Sequence, residues 1–194
     1  GIFNADEPFT IETKGGIVTA TVFSGSDDAE IIIGTASFHS RNIHAAGLPR
    51  EIIAEKLDID GKEFTITALS IGNPHCVIES DDLTEDYVRR WGPQIENASL
   101  FPNRINVQFM KVVDRHTIRI AIWERGAGYT LASGSSATAA SAVAVRLGKC
   151  DYPITVLVPG GQLMISQNGD QNLVLRGEVR KVYQAKLRFF DNAF

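Results

Sequence analysis

The chain has 194 residues, of which 44% are hydrophobic, enough to form one large domain or two small lobes. The chain has 19 Lys and Arg residues and 23 Asp and Glu residues, so its net charge is negative. The basic residues form no run long enough to follow a phosphate backbone, which argues against nucleic acid as a partner. No apolar run approaches the ~20 residues that cross a bilayer, and the N-terminus carries no export pattern. We therefore expect a cytoplasmic protein that does not contact the membrane.

Metal and disulfide chemistry are not indicated by the sequence. Cys76 and Cys150 are far apart and lie outside any CxxC pattern, and the four histidines show no metal-ligand spacing. The chain begins at Gly1 without an initiator methionine, so we expect it to be a piece of a longer protein.

Short strands separated by turns dominate the predicted secondary structure. A hairpin is expected over Phe9 to Phe23, because apolar residues alternate on both sides of Gly15-Gly16. Further strands are predicted at Glu30 to Ile33, Glu63 to Ile71, Cys76 to Glu79, Asn106 to Val113, Thr117 to Trp123, Ile154 to Val158, Gln162 to Gln167, Leu173 to Val179 and Val182 to Phe190.

Two helices are predicted between these strands. The first is expected to begin at Ser80-Asp81-Asp82 and to end or bend at Gly92-Pro93. The second covers about Gly134 to Leu147, is apolar on nearly all sides, and has Gly148 where a C-terminal cap is expected. Such a helix belongs in the interior with strands around it, so the predicted fold class is α+β.

The start of this second helix is a candidate anion receptor. Its first N–H groups, at Gly134, Ser135 and Ser136, have no intrahelical partner, and the helix dipole adds positive charge there, so a carboxylate can bind without a metal. Just upstream, Arg125 is suited to gripping a carboxylate and Glu124 to moving a proton. The alternative is that Glu124 and Arg125 form a solvated strand end and that Ser133 is only a helix cap.

A second candidate is the turn Gly72-Asn73-Pro74-His75, which follows a predicted strand. Proline stiffens the turn, so the Asn73 amide points in a defined direction, and His75 can exchange a proton near neutral pH. The alternative is an ordinary turn with a structural histidine. Cys76 should point to the opposite face from His75, which favours a buried structural thiol over a nucleophile.

Together these motifs resemble the diaminopimelate epimerase family over nearly the whole chain. The resemblance lies in GNPH at Gly72 to His75, FPNRINVQF at Phe101 to Phe109, ERGAG at Glu124 to Gly128, the small-residue helix after Ser133 and VPGG at Val158 to Gly161. It implies two lobes, each with antiparallel strands wrapped around a buried central helix, and substrate between them. Residues 1–33 would then end the N-terminal lobe, 34–180 would form the C-terminal lobe, and 181–194 would be a tail strand returning toward the first lobe.

The resemblance also implies an activity without pyridoxal phosphate or any other cofactor, the conversion of LL- to meso-diaminopimelate in lysine biosynthesis. One thiolate would remove the α-proton and a thiol on the opposite face would return one. Carried over by motif, Asn73, Asn106 and Arg125 would bind the distal groups of the substrate, Gly134 and Ser135 would hold the reacting carboxylate, and His75 and Glu124 would activate the acid/base group. Ser133 stands where the family has its second catalytic cysteine, and Tyr129 replaces a glutamate.

These substitutions leave three hypotheses. The first is an amino-acid epimerase whose missing N-terminal lobe lies in the same or another chain. The second is a one-thiol isomerase or lyase that acts on another amino or hydroxy acid. The third is a non-catalytic binding module. In the first two cases the expected partners are a small-molecule amino or hydroxy acid and the missing lobe, and a homodimer is also expected.

Overall fold

The computed structural model describes residues 4–13, 16–180 and 182–185. These residues form a mixed sheet of 12 strands and three helices. The strands are β1 (Phe9–Thr13), β2 (Gly16–Val22), β3 (Asp28–Gly34), β4 (Glu55–Ile59), β5 (Lys62–Ser70), β6 (Pro74–Glu79), β7 (Asn106–Asp114), β8 (Thr117–Glu124), β9 (Gly128–Thr130), β10 (Ile154–Val158), β11 (Gly161–Gln167) and β12 (Leu173–Glu178), and the helices are α1 (Ser40–Ile43), α2 (Glu85–Glu96) and α3 (Gly134–Arg146).

The strands are arranged in the order β1-β2-β3-β12-β11-β10-β8-β7-β6-β5-β4, and β9 pairs with β8. Most neighbours are antiparallel, but β6 pairs with β7 and β8 with β10 in parallel. The expectation of antiparallel strands is therefore wrong for these two pairs. Each parallel pair is joined by a connection that contains a helix, α2 or α3, because parallel neighbours need a crossover.

Side-chain alternation along the strands creates two apolar clusters on opposite faces of the sheet. In β8, Ile118, Ile120 and Ile122 are buried in the cluster that contains α3, whereas Ala121 belongs to the cluster that contains α2. A period of two residues produces this separation. Any side chain in register with Ile122 on the neighbouring strands therefore faces α3.

Helix α3 has almost the bounds that the sequence predicts. Residues 136–144 are all buried, and this stretch contains only Ala, Ser, Thr and Val side chains, which allow the strands to approach closely. Gly148 adopts a left-handed φ of 69°, and its N–H donates to the carbonyl of Val145 at 2.9 Å. The helix therefore ends at the glycine that the sequence indicates.

Helix α2 begins later than predicted and does not end at Gly92-Pro93. It begins at Glu85 with Thr84 as its cap, because Ser80 and Asp82 hydrogen-bond each other in a local turn instead of capping a helix. It also continues through Pro93 to Glu96. The apolar face that α2 buries against the sheet outweighs the hydrogen bond that proline removes.

The remaining strand predictions are confirmed to within one or two residues at their ends, with one exception. The exception is the tail predicted at Val182 to Phe190: residues 182–185 have no regular structure, and residues 186–190 lie outside the described part of the chain. The turn residue Gly15 of the first hairpin also lies outside the described residues, although β1 and β2 pair as predicted. Strands β4 and β9 and helix α1 were not predicted. No helix among the described residues is long and apolar enough to cross a membrane.

Replacing Gly92 with alanine tests the contact between α2 and the sheet. The added Cβ would lie 2.5 Å from Cγ of Trp123, so the indole ring would have to move. Alanine favours a helix over glycine by ~1 kcal/mol, but we expect a net loss of ~1–3 kcal/mol in the free energy of unfolding because of overpacking. Urea denaturation measures the change.

Gly169→Ala is the matched control, since its Cβ would meet nothing within 4 Å. It should change the free energy of unfolding by less than ~0.5 kcal/mol. If Gly92→Ala is as stable as the wild-type chain, the packing described here is wrong.

Candidate active site

The segments that carry the predicted site residues meet at one edge of the sheet. His75, at the start of β6, lies beside Asn106, the first residue of β7. Val107 pairs with Trp123, so Asn106 is also next to the end of β8, where Glu124 lies. By strand alternation these three residues are on the face that packs against α3.

Asn106 joins two of the predicted motifs. Its Nδ2 donates to the carbonyl of Pro74 at 2.8 Å, and its Oδ1 accepts from the backbone N–H of Arg125 at 3.0 Å. The side chain is only 8% exposed, so water competes weakly for these hydrogen bonds. The turn that contains Asn73 and the turn that contains Arg125 are therefore held together by one amide.

His75 is fully buried, and its Nε2 lies 3.0 Å from Oδ1 of Asn73. Burial lowers the pKa of His75 to about 4, against a partial rise from contact with Gln108 and a further lowering from the Arg125 charge. Near neutral pH the ring is therefore uncharged and carries one proton.

The turn after β8 is fixed by a buried carboxylate that the sequence reasoning missed. Glu96, 4% exposed, accepts from the backbone N–H of Gly126 at 3.1 Å and from Nε1 of Trp123 at 2.7 Å. Arg104 also donates to it, at 3.3 Å. The available signal was an acidic residue on the otherwise apolar face of α2, four residues after Gly92.

The two charged residues at this turn have different surroundings. Arg125 is exposed, and its Nη1 donates to the carbonyl of Asn103 at 3.3 Å. Glu124 is half-buried, and its carboxylate has no hydrogen-bond or ion-pair partner among the residues that the structure describes. Both side chains are therefore able to engage a ligand at the open edge.

At the start of α3, Ser133 is the helix cap. Its Oγ accepts from the N–H of Ser136 at 3.4 Å and lies 3.4 Å from Oγ of Ser135. The prediction that the Ser136 N–H is available to a carboxylate is therefore wrong, because the cap uses it. The N–H groups of Gly134 and Ser135 are in the first turn and have no intrahelical acceptor. In the described structure Ser133 hydrogen-bonds neither His75 nor Glu124.

The first turn of α3 is tied to the sheet by a second residue that the sequence reasoning did not single out. Gln108, in β7, donates from Nε2 to Oγ of Ser136 at 3.0 Å, and both side chains are fully buried. Gln108 also contacts His75. The signal was a polar residue at an inward position of a core strand.

The structure thus brings Asn73, His75, Asn106 and Arg125 together directly, and it connects Ser133 to Ser135 at the start of α3 to them through Gln108. Cys76 lies on the opposite face, fully buried, where burial raises the pKa of its thiol, as expected for a structural cysteine. The described residues contain no group of three His, Cys, Asp or Glu side chains that could hold a metal.

The candidate site is partly exposed at the ends of strands β6 to β8, where Arg125 is exposed and Asn73 and Glu124 are half-buried. A groove of about 720 Å³ does lie on the strands β10 to β12, but its lining includes none of the predicted site residues.

The fold is shared with solved structures of amino-acid epimerases and racemases. The chain is similar to the structure of a hydroxyproline epimerase from Agrobacterium vitis, with a TM-score of 0.62 and 13% identity over 91% of this chain and 58% of the other. It is also similar to a probable proline racemase from Agrobacterium radiobacter, with a TM-score of 0.64 and 15% identity over 95% of this chain and 62% of the other. At such identities the likeness concerns the fold alone.

Sequence comparison identifies the family within this class. The family model described as diaminopimelate epimerase matches residues 67–182. A relative named diaminopimelate epimerase 2, from Nostoc sp. (strain PCC 7120), is 50% identical over 182 residues. The chain therefore belongs to the diaminopimelate epimerase family, as the motifs predicted. The alignment covers 94% of this chain but 64% of that relative, so the chain spans less than two thirds of the relative's length.

The buried histidine predicts a pH dependence of stability. An unfolded histidine takes up a proton near pH 6.5, whereas His75 in the folded chain does so only at about pH 4. Between these values the unfolded state binds more protons, so the free energy of unfolding should fall as the pH is lowered, by at most ~1.4 kcal/mol per pH unit from this residue. Urea midpoints between pH 7 and pH 4 measure it.

His75→Gln should flatten this part of the stability curve, and His116→Gln, which removes an exposed histidine, should not. Parallel curves for the wild-type chain and His75→Gln would contradict the prediction.

Proposed function

We propose that the complete protein is a diaminopimelate epimerase, an isomerase that inverts the α-carbon of an amino acid without pyridoxal phosphate. The observation that carries the proposal is the convergence at one sheet edge of an exposed guanidinium, two side-chain amides and an unpartnered carboxylate, connected through Gln108 to a helix N-terminus. These groups match the needs of an amino acid that has two carboxylates. Family membership supports the same activity.

In this proposal the residues have the following roles. Asn73, Asn106 and Arg125 bind the distal amino and carboxylate groups, and Gly134 and Ser135 donate backbone N–H groups to the reacting carboxylate. Ser133 is the acid/base group, and His75 and Glu124 flank and activate it. Negative charge develops on the reacting carboxylate as the α-proton leaves, so fixed N–H donors there stabilise the transition state more than the ground state.

The second lobe is part of the proposal. Residues 34–180 form the C-terminal lobe, with its strands wrapped around α3 as the central helix. Residues 1–33 end the N-terminal lobe, and 181–194 return toward it. That lobe, in the same or another chain, covers the open site and supplies the first catalytic cysteine. We further propose a cytoplasmic protein, acting in lysine biosynthesis as a homodimer.

One observation favours a second candidate function. The Ser133 hydroxyl is engaged in capping α3 and contacts no base in the described structure. A serine hydroxyl is a weak base unless it is activated, so proton transfer at this face would be slow. The second candidate is a one-thiol isomerase or lyase that acts on another amino or hydroxy acid.

Incubation of the complete protein with diaminopimelate in D2O separates these functions. The epimerase should incorporate deuterium at the α-carbon and interconvert the LL and meso forms, which NMR and chiral chromatography measure. Exchange without inversion, or with loss of water or ammonia, would favour the second candidate. Absence of exchange with diaminopimelate and related acids would leave only a binding function.

Ser133→Cys tests the position of the proposed acid/base group. A cysteine titrates near pKa ~8.5 and supplies some thiolate at pH 7, so we expect the rate of α-proton exchange to rise by about tenfold or more. Ser135→Cys is the matched control, because it places a thiol in the same turn, and it should not raise the rate. An unchanged rate in Ser133→Cys would mean that residue 133 does not face the reacting carbon.

A further inference from the structure

Two buried polar atoms at the candidate site lack hydrogen-bond partners in the described structure, Nδ1 of His75 and Oε1 of Gln108. Both residues are 0% exposed. Gln108 lies two residues beyond Asn106 in β7, so its side chain is on the same face as that of His75, and its contact with the ring influences the pKa of His75. Buried polar atoms are nearly always hydrogen-bonded, so this pair needs an explanation.

The His75 ring lies between two side-chain amides. Asn73 meets Nε2 on one side, and Gln108 contacts the ring while its Nε2 meets Ser136. A neutral imidazole has one N–H donor and one acceptor nitrogen. If both amides turned their oxygen atoms toward the ring, both ring nitrogens would have to carry a proton. The ring would then be a charged imidazolium, which burial opposes. One of the two amides must therefore present its NH2 group.

A half turn of the Gln108 amide satisfies every group in this chain of contacts. Its Nε2 then donates to Nδ1 of His75, and its Oε1 accepts from the hydroxyl of Ser136, which can donate as well as accept. A half turn of Asn73 would also satisfy the ring. It would, however, direct the amide oxygen of this half-buried residue toward the open edge, where the oxygen would repel a carboxylate.

We propose that Gln108 is a positioning residue: it donates to Nδ1 of His75, keeps the ring proton on Nε2, and thereby leaves the NH2 group of Asn73 free to bind a carboxylate. Ser136 holds the Gln108 amide in this orientation from the first turn of α3. The position of the proton is a property of the folded chain alone. The binding of the carboxylate, and with it the choice of Gln108 over Asn73 as the amide that turns, rests on the proposed function.

Nitrogen-15 NMR of histidine-labelled chain tests the proton position, and the spectrum of His75→Gln assigns the signal. At pH 7 we expect His75 to carry its proton on Nε2, with Nδ1 as an unprotonated acceptor. A proton on Nδ1, or on both nitrogens, would overturn the proposal.

Two variants test the part played by Gln108 and Ser136. Gln108→Glu replaces a donor with a side chain that, when ionised, only accepts, so the ring proton should move to Nδ1. Ser136→Ala is the second variant, in case Gln108→Glu does not fold. It removes the hydroxyl that holds the Gln108 amide in one orientation, so both tautomers of the His75 ring should be populated. Ser141→Ala is its control, since Ser141 is equally buried in α3 and its hydroxyl has no partner in the described structure. Wild-type signals in both Gln108→Glu and Ser136→Ala would overturn the proposal.

The consequence for binding is measured with diaminopimelate and the complete protein. Ser136→Ala should raise KM by about tenfold with a smaller change in kcat, because it disturbs a carboxylate contact and removes no group at the reacting carbon. Ser141→Ala should leave both constants unchanged. A fall in kcat alone would contradict the link to Asn73. If the wild-type protein does not turn over diaminopimelate, the proposed function fails, while the NMR result still decides the proton position.

Discussion

The side-chain amide of Asn106 is the constraint on which the candidate site depends. It donates to Pro74, 32 residues earlier in the chain, and accepts from Arg125, 19 residues later. Only a side chain with a donor and an acceptor a short distance apart can do both, so aspartate and leucine would each lose at least one link. Burial strengthens both hydrogen bonds, and the turns that carry Asn73 and Arg125 keep their relative position through them.

A second constraint is the close packing of α3 against the sheet. Small side chains let the helix approach β12, where a Cβ added at Gly134 would stand 2.6 Å from Cδ2 of Leu175. This proximity allows Ser136 to reach Gln108, which a bulkier helix would keep out of range. The start of α3 and the His75 region are thus joined through the interior. The groups that would contact a ligand, such as Arg125 and Glu124, lie at the exposed ends of the strands.

The predictions succeeded where a local pattern was sufficient. Helix α3 and strand β10 were found because apolar residues, a glycine cap and flanking turns all occur within a few residues of the element. The start of α2 was missed because Ser80 and Asp82 are good caps in isolation but are used in a turn. Strand β9 has three residues and depends on its pairing with β8, so no sequence period reveals it.

For the site, the sequence by itself determined three local features: the motif Gly72 to His75, the motif Glu124 to Gly128 and the small-residue helix that follows. These features were enough to identify the family. These signals are local, because a turn, a cap or an alternating strand is specified by neighbouring residues. Only the tertiary structure decided that Glu96 holds the turn after β8 and that Gln108 joins His75 to α3. A single glutamate or glutamine has no characteristic spacing, and it acquires such a role only when the fold brings residues about 30 positions away into hydrogen-bond distance.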